Sequence, residues 1–175
     1  QGDVVPVRFS EPLALELPGP VSPSPRDGLL DALVRDPQAF NSTAFLRAGL
    51  PSIGVVASAQ ALAHVMAATL GDVDGLRLIS DETRARMCEV RSSGPDRVLG
   101  VTSRFGSGPQ LPFPRLPWTG PEAFGHEGAG GSVAFADPER NLAVGFTTDL
   151  FPSSAGASPV LLGLLPTLGL LAARS

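Results

Sequence analysis

His126 stands in a run of glycines, with Gly125 before it and Gly128, Gly130 and Gly131 after it. Imidazole changes charge near neutrality, because its unperturbed pKa is about 6.5. Glycine weakens a strand, so a cluster marks a place where something approaches the backbone closely. A ligand oxygen held by exposed N–H groups beside His126 fits that pattern. A glycine-rich β-bulge carrying a half-exposed histidine fits it equally well. Cys88 with His64 is a second conceivable nucleophile and base, but both fall inside apolar helical patterns, where a packed thiol and a hydrogen-bonded histidine are commoner. Cys88 is the only cysteine, so no intrachain disulfide can form. No His, Cys or carboxylate cluster has metal-ligand spacing, no cofactor is implied, and no Gly-x-Ser-x-Gly elbow occurs.

The elements that must hold His126 are legible around it. Phe124 to Asp149 reads as strand, glycine corner, strand, turn, strand. Val133 and Phe135, then Leu142, Val144 and Phe146, recur at period two and share one face of a pleated ribbon. Asp137-Pro138-Glu139-Arg140-Asn141 between them favours a type I turn. Upstream, Ser58 caps a helix whose inward face is Leu62, Val65, Met66 and Leu70, and Gly71 ends it. Asp72-Val73-Asp74-Gly75 reads as a polar turn. Ser80 caps a second helix with Asp81 and Glu82 in its first turn, Thr83, Met87 and Val90 facing inward, and Arg91 near its end.

Proline dominates elsewhere. Residues 1–26 read as irregular or edge strand that needs a partner, Gly28 to Arg35 as a short helix ended by Pro37, and residues 92–123 as loop interrupted by the strand-like Val98 to Phe105. Trp118 either covers the core or lines a substrate mouth. Ser158-Pro159 starts a last helix over Val160 to Ala173, which is too short and too interrupted to cross a bilayer and is expected to pack on the sheet.

His126-Glu127-Gly128, followed by Ala129-Gly130-Gly131-Ser132 and the hairpin VAFADPERNLAVGFTTD, resembles the third motif and following strands of the serine β-lactamase-related superfamily, in its class C branch with esterases and DD-peptidase-like relatives. That motif is Lys-Thr-Gly or, in many esterase-like members, His-x-Gly. The resemblance extends upstream to about Asn41, through NSTAFLRAGLPSIGVVASAQALAHVMAATL and LISDETRARM. It implies an α+β fold, an antiparallel sheet with flanking helices, forming the C-terminal part of the β-lactamase/DD-peptidase-like fold. It further implies that His126 and Gly128 belong to a catalytic wall, that the Ala129 N–H forms half of an oxyanion hole, and that Glu127 lies beside the substrate. A carboxylate there disfavours an anionic β-lactam, which favours an ester or amide as the small-molecule substrate.

Composition limits how much of that chemistry this chain can hold. With 175 residues, 43% of them hydrophobic, and a net charge of −4, it fits one globular unit, and no basic patch suggests nucleic acid. All 13 positive residues are arginine, and there is no tyrosine. The Ser-x-x-Lys and Tyr-x-Asn motifs of the superfamily therefore cannot occur here. The sequence opens at Gln1 with no initiator Met or leader. The expectation is a C-terminal portion of one catalytic domain, with residues 1–40 as lead-in, 41–91 helical, and 92–175 as loop, sheet and C-terminal helix. Its partner would be the N-terminal part of the same protein. Alone, it is expected to fold poorly and to be inactive. A non-catalytic binding or scaffold homologue is the alternative.

Overall fold

Alternation along the Phe124–Asp149 ribbon gives the sheet two unlike faces, and each face gathers its own helix. The computed structural model describes residues 4–9, 36–96, 101–114, 116–151 and 156–173. In chain order the elements are β1 (Arg8–Phe9), a 3-10 helix (Pro37–Asn41), α1 (Thr43–Arg47), α2 (Ala59–Leu70), α3 (Asp81–Cys88), β2 (Ser92–Pro95), β3 (Thr102–Phe105), β4 (Phe124–Glu127), β5 (Val133–Asp137), β6 (Leu142–Phe146), β7 (Leu150–Phe151) and α4 (Pro159–Ala172). The helix expected over Gly28 to Arg35 lies outside the described residues, as does the start of the strand-like run at Val98.

Strands β4, β5 and β6 form an antiparallel meander, with His126 opposite Ala134 and Phe135 opposite Val144. Strands β2 and β3 pair antiparallel. Gln110 joins the two groups, pairing with Phe105 on one side and exchanging both backbone hydrogen bonds with Gly125 on the other, at 2.7 and 3.0 Å. The fold is α+β, as expected.

On one face, Val133 and Phe135 are buried with Leu161 and Leu165 of α4, while Leu142, Val144 and Phe146 pack against them. Each side chain of this size taken out of water contributes about 2 kcal/mol. Trp118 is 3% exposed and stacks on Phe135 at 4.9 Å between ring centres, so it covers the core. Helix α4 starts where the sequence places it, with the Ser158 hydroxyl accepting from the Val160 N–H.

The other face is lined by small residues. Gly145 lies so close to Ala59, Leu62 and Ala63 of α2 that a Cβ there would meet their atoms, and this lets helix and sheet approach without intervening side chains. Ala136 and Phe124 meet Leu111, with Met66, Leu70, Met87 and Cys88 packed against them. The close approach also corrects the expected helix face. Val65 is 50% exposed, and Ala68, fully buried, takes an inward position instead.

A second correction concerns α3. Thr83 and Val90 are exposed, whereas Arg84, Met87 and Cys88 turn inward. Arg84 does so because its Nη1 donates to the carbonyls of Thr69 and Leu70, at 3.2 Å each, where α2 ends. Arg91 lies beyond the helix, and Arg86 is the basic residue of its last turn. The caps are as read: Ser58 accepts from the Ala61 N–H and Ser80 from the Thr83 N–H, both at 3.1 Å.

Strand β2 was not expected. Its Ser-Ser-Gly-Pro composition reads as loop, and its strand character comes from pairing with β3. The amino-terminal run also differs, because residues 4–9 find their partners within this chain. β1 pairs in parallel with β7, Asn41 accepts from the Val7 N–H at 2.7 Å and donates back to its carbonyl, and Arg8 meets Asp149 at 2.8 Å. Phe9, Phe40 and Phe151 form an aromatic cluster with ring centres 5.6 to 6.0 Å apart.

Candidate active site

Strand alternation sends two neighbouring motif side chains to opposite faces of the sheet. His126 shares the α2 face with Ala134 and is exposed, while Glu127 shares the α4 face with Val133 and is 7% exposed. The imidazole opens on a cavity of about 540 Å³. Gly128, Ser132 and Ala134 contribute to its wall from the corner, with Val7, Phe45, Ile53 and Leu62 among the apolar residues opposite. The Phe105 ring lies 6.4 Å from the imidazole. Protein atoms crowding the imidazole lower its pKa from the usual 6.5, and the charge of Glu127 offsets part of that.

The glycines build the corner. Gly125 has no room for a Cβ against Ala134 and Phe135, so the close approach inferred there is made by its own partner strand. The Gly128 N–H donates to the Ser132 carbonyl at 2.8 Å and the Gly131 N–H to the Gly128 carbonyl at 3.0 Å. Gly131 has φ 89°, in the region glycine favours. Ala129 is exposed in the middle of this turn, and its N–H has no acceptor among the described residues. Ala129 itself does not line the cavity, although its neighbour Gly128 does.

Glu127 is turned away from the cavity. Its Oε2 accepts from the Ala157 N–H at 2.7 Å, and the Ser158 N–H donates to the Gly131 carbonyl at 3.1 Å. These two bonds fasten the glycine corner to the segment that opens α4. From the other side, Gln110, 5% exposed, accepts the Glu127 N–H on its Oε1 at 2.8 Å. The sequence carries no signal for Gln110, a single polar residue among prolines. A signal for Glu127's inward turn did exist, since period two places it on the face of Val133.

Cys88 and His64 do not make an activated pair. Burial raises the Cys88 thiol pKa above its ordinary value, with Arg84 opposing and Glu122 adding to the rise, and His64 Nδ1 faces Asp74 at 4.0 Å. Among the described residues no cluster of His, Cys and carboxylates could hold a metal ion, and no helix is long and apolar enough to cross a membrane.

Helices on both faces of an antiparallel sheet, with a His-x-Gly strand ending in a glycine corner, define a β-lactamase/DD-peptidase-like protein. The chain belongs to the Beta-lactamase family, whose profile matches residues 11–161. It is similar to the Esterase/beta-lactamase LipL of Mycobacterium tuberculosis (strain ATCC 25618 / H37Rv), at 35% identity over 102 residues, which cover 56% of this chain and 23% of that protein. Among solved structures it is similar to EstA from Arthrobacter nitroguajacolicus Rue61a, with a TM-score of 0.78 and 29% identity over 97% of this chain and 46% of that one. It is also similar to a penicillin-binding protein homologue from Caulobacter crescentus, with a TM-score of 0.56 and 32% identity over 67% of this chain and 31% of that one. The chain thus spans less than half the length of each of these relatives.

Proposed function

We propose that these residues form the third-motif wall of a serine hydrolase that cleaves ester or amide bonds through an acyl-enzyme. The observation that carries this reading is the His126–Ala129 corner, where an imidazole that lines the cavity stands three residues before a backbone N–H with no acceptor among the described residues. The relatives' names, an esterase/beta-lactamase and EstA, support it. The nucleophilic serine and its lysine come from outside these residues, which contain no lysine.

In that reaction the serine oxygen attacks the substrate carbonyl and negative charge builds on the carbonyl oxygen. The Ala129 N–H donates to that oxygen, and a donor fixed in advance at such a position is worth about 3 kcal/mol in the barrier. Gly128 keeps the approach free of a side chain. His126 donates or accepts a hydrogen bond at the leaving side, in the place lysine holds in the Lys-Thr-Gly form. Glu127 acts through structure, holding the corner.

The pH dependence follows from the partial desolvation of the His126 ring by the protein around it. Its pKa is lowered, so the ring stays neutral in the folded protein until pH falls below 6.5. Turnover carried by neutral His126 is expected to be level above that value and to fall on the acid side of it. The test is ester turnover by the full-length protein across pH, beside its His126→Ala variant. The expected result is a loss of about a hundredfold in kcat/KM on substitution, with the acid limb below 6.5 removed. A protein that folds and turns over no ester would overturn the reading in favour of a scaffold.

A further inference from the structure

The glycine corner rests on an aromatic cluster that no step of the proposed reaction uses. Gly130 is not among the glycines with positive φ, so what its missing side chain provides is space. A Cβ at Gly130 would stand 3.2 Å from both Cδ2 and Cε2 of Phe151, tighter than ordinary van der Waals contact. The Phe151 ring in turn stacks on Phe9 at 5.6 Å between ring centres, with 26° between the planes, and lies at the same distance from Phe40. Phe45 meets Phe40 edge to face at 5.0 Å. Aromatic pairs at these separations hold preferred mutual orientations and do not slide freely.

Backbone pairing seats this cluster. β1 runs beside β7 with Phe9 opposite Phe151, and the Arg8 N–H donates to the Asp149 carbonyl at 2.6 Å. The Arg8 guanidinium meets the Asp149 carboxylate at 2.8 and 3.0 Å, and Asn41, next to Phe40, holds Val7 through both amide atoms. Gly130 directly follows Ala129, whose N–H is the oxyanion donor of the proposed reaction. Close-packed groups pass a displacement on to their neighbours, so a change in the Phe151 ring that moves Gly130 also moves Ala129. Residues 4–7, Phe40 and Phe45 line the cavity as well. The segment that walls the substrate space therefore also seats the corner.

We infer that Phe151 is a positioning residue: its ring, held by Phe9 and Phe40, sets how closely Gly130 can lie and so where the Ala129 N–H stands. The inference rests on the hydrolase reading for the role of that N–H, whereas the packing is a property of the fold alone. Phe151 supports the corner from β7, and Glu127 ties it from the side of α4.

The test is a double-mutant cycle in the full-length protein, with Gly130→Ala, Phe151→Leu and the two combined. Ester turnover gives kcat and KM, and urea unfolding shows whether each variant is folded. The Ala129 amide is followed in 15N-alanine-labelled protein, its resonance identified by its loss in Ala129→Gly. Gly130→Ala pushes the corner by a few tenths of an ångström. It is expected to lower kcat about tenfold with KM nearly unchanged, since a misplacement of about 1 Å costs about a hundredfold. Phe151→Leu, which removes the support, is expected to lower kcat about threefold. In the double variant the added methyl takes up space the ring leaves, so kcat is expected to lie within about threefold of the unsubstituted protein, where independent effects would multiply. The Ala129 resonance is expected to move in both single variants and to return toward its place in the double one. Losses that simply multiply overturn the inference, as does a resonance unmoved in both single variants. So does a resonance that moves while kcat holds in a protein that turns over ester. If Gly130→Ala does not fold, Phe151→Leu decides by its resonance and kcat alone. Movement and return of the resonance in a folded protein that turns over no ester keep the packing and lose the hydrolase reading.

Discussion

Asp137→Ala is expected to lower the unfolding free energy by about 3 kcal/mol, the scale for removing one partner of a buried ion pair. Asp137 is fully buried at the end of β5. Its carboxylate accepts from the Thr119 hydroxyl at 2.6 Å, from the backbone N–H groups of Glu139 and Arg140 at 3.1 and 3.3 Å, and from Arg140 Nη1 at 2.9 Å. One side chain therefore shapes the β5–β6 turn, pins the Trp118 loop to it and neutralises an arginine. Truncation leaves the hydroxyl, both turn N–H groups and the guanidinium without that acceptor. Asp137→Asn keeps the acceptor for the turn but loses the charge, so it should cost less. Urea unfolding of both variants measures the difference. A loss below about 1 kcal/mol for alanine would mean that water replaces the carboxylate, contrary to its burial.

The second large effect concerns Glu127. Glu127→Ala in the full-length protein is expected to reduce kcat about a hundredfold, the scale of misplacing a catalytic group by about 1 Å. It should leave KM nearly unchanged, since the carboxylate faces away from the cavity. Without it the Ala157 N–H is buried without the Glu127 acceptor, and the corner bearing His126 and Ala129 loses a tie to the start of α4. Glu127→Gln can still accept from Ala157 through its amide oxygen and should recover much of the rate. A rise in KM with kcat intact would instead make Glu127 a substrate contact. Failure of glutamine to recover any rate would point to a need for the negative charge.

How far the sequence foretold this molecule depended on what each residue had to touch. The β5–β6 hairpin was legible because Val133, Phe135, Leu142, Val144 and Phe146 need only one buried face, and period two states that directly. The caps Ser58, Ser80 and Ser158 were legible because capping is local. Inward faces of α2 and α3 were misjudged at Val65, Thr83 and Val90, where the outcome depends on distant partners. Gly145 draws α2 in over its alanines, and the carbonyls ending α2 draw Arg84 inward. β2 was missed since its strand character comes from β3 and not from Ser-Ser-Gly-Pro. At the site, His126 and Gly128 line the cavity, Ala129 lies beside them in the glycine corner, and Glu127 points to the other face of the sheet. The cavity was invisible in the sequence because its walls come from segments as far apart as Val7, Ile53 and Ser132.

The most direct measurement of the central claim is to label the full-length protein with a fluorophosphonate, which forms a stable adduct with an activated serine, and to locate the adduct by peptide mass spectrometry. The expected result is one modified serine outside these 175 residues, with labelling slowed by His126→Ala. An adduct on Ser132, or on any other serine of this chain, would contradict the claim, because the corner would then carry its own nucleophile. Absence of any adduct from the folded protein would contradict it equally.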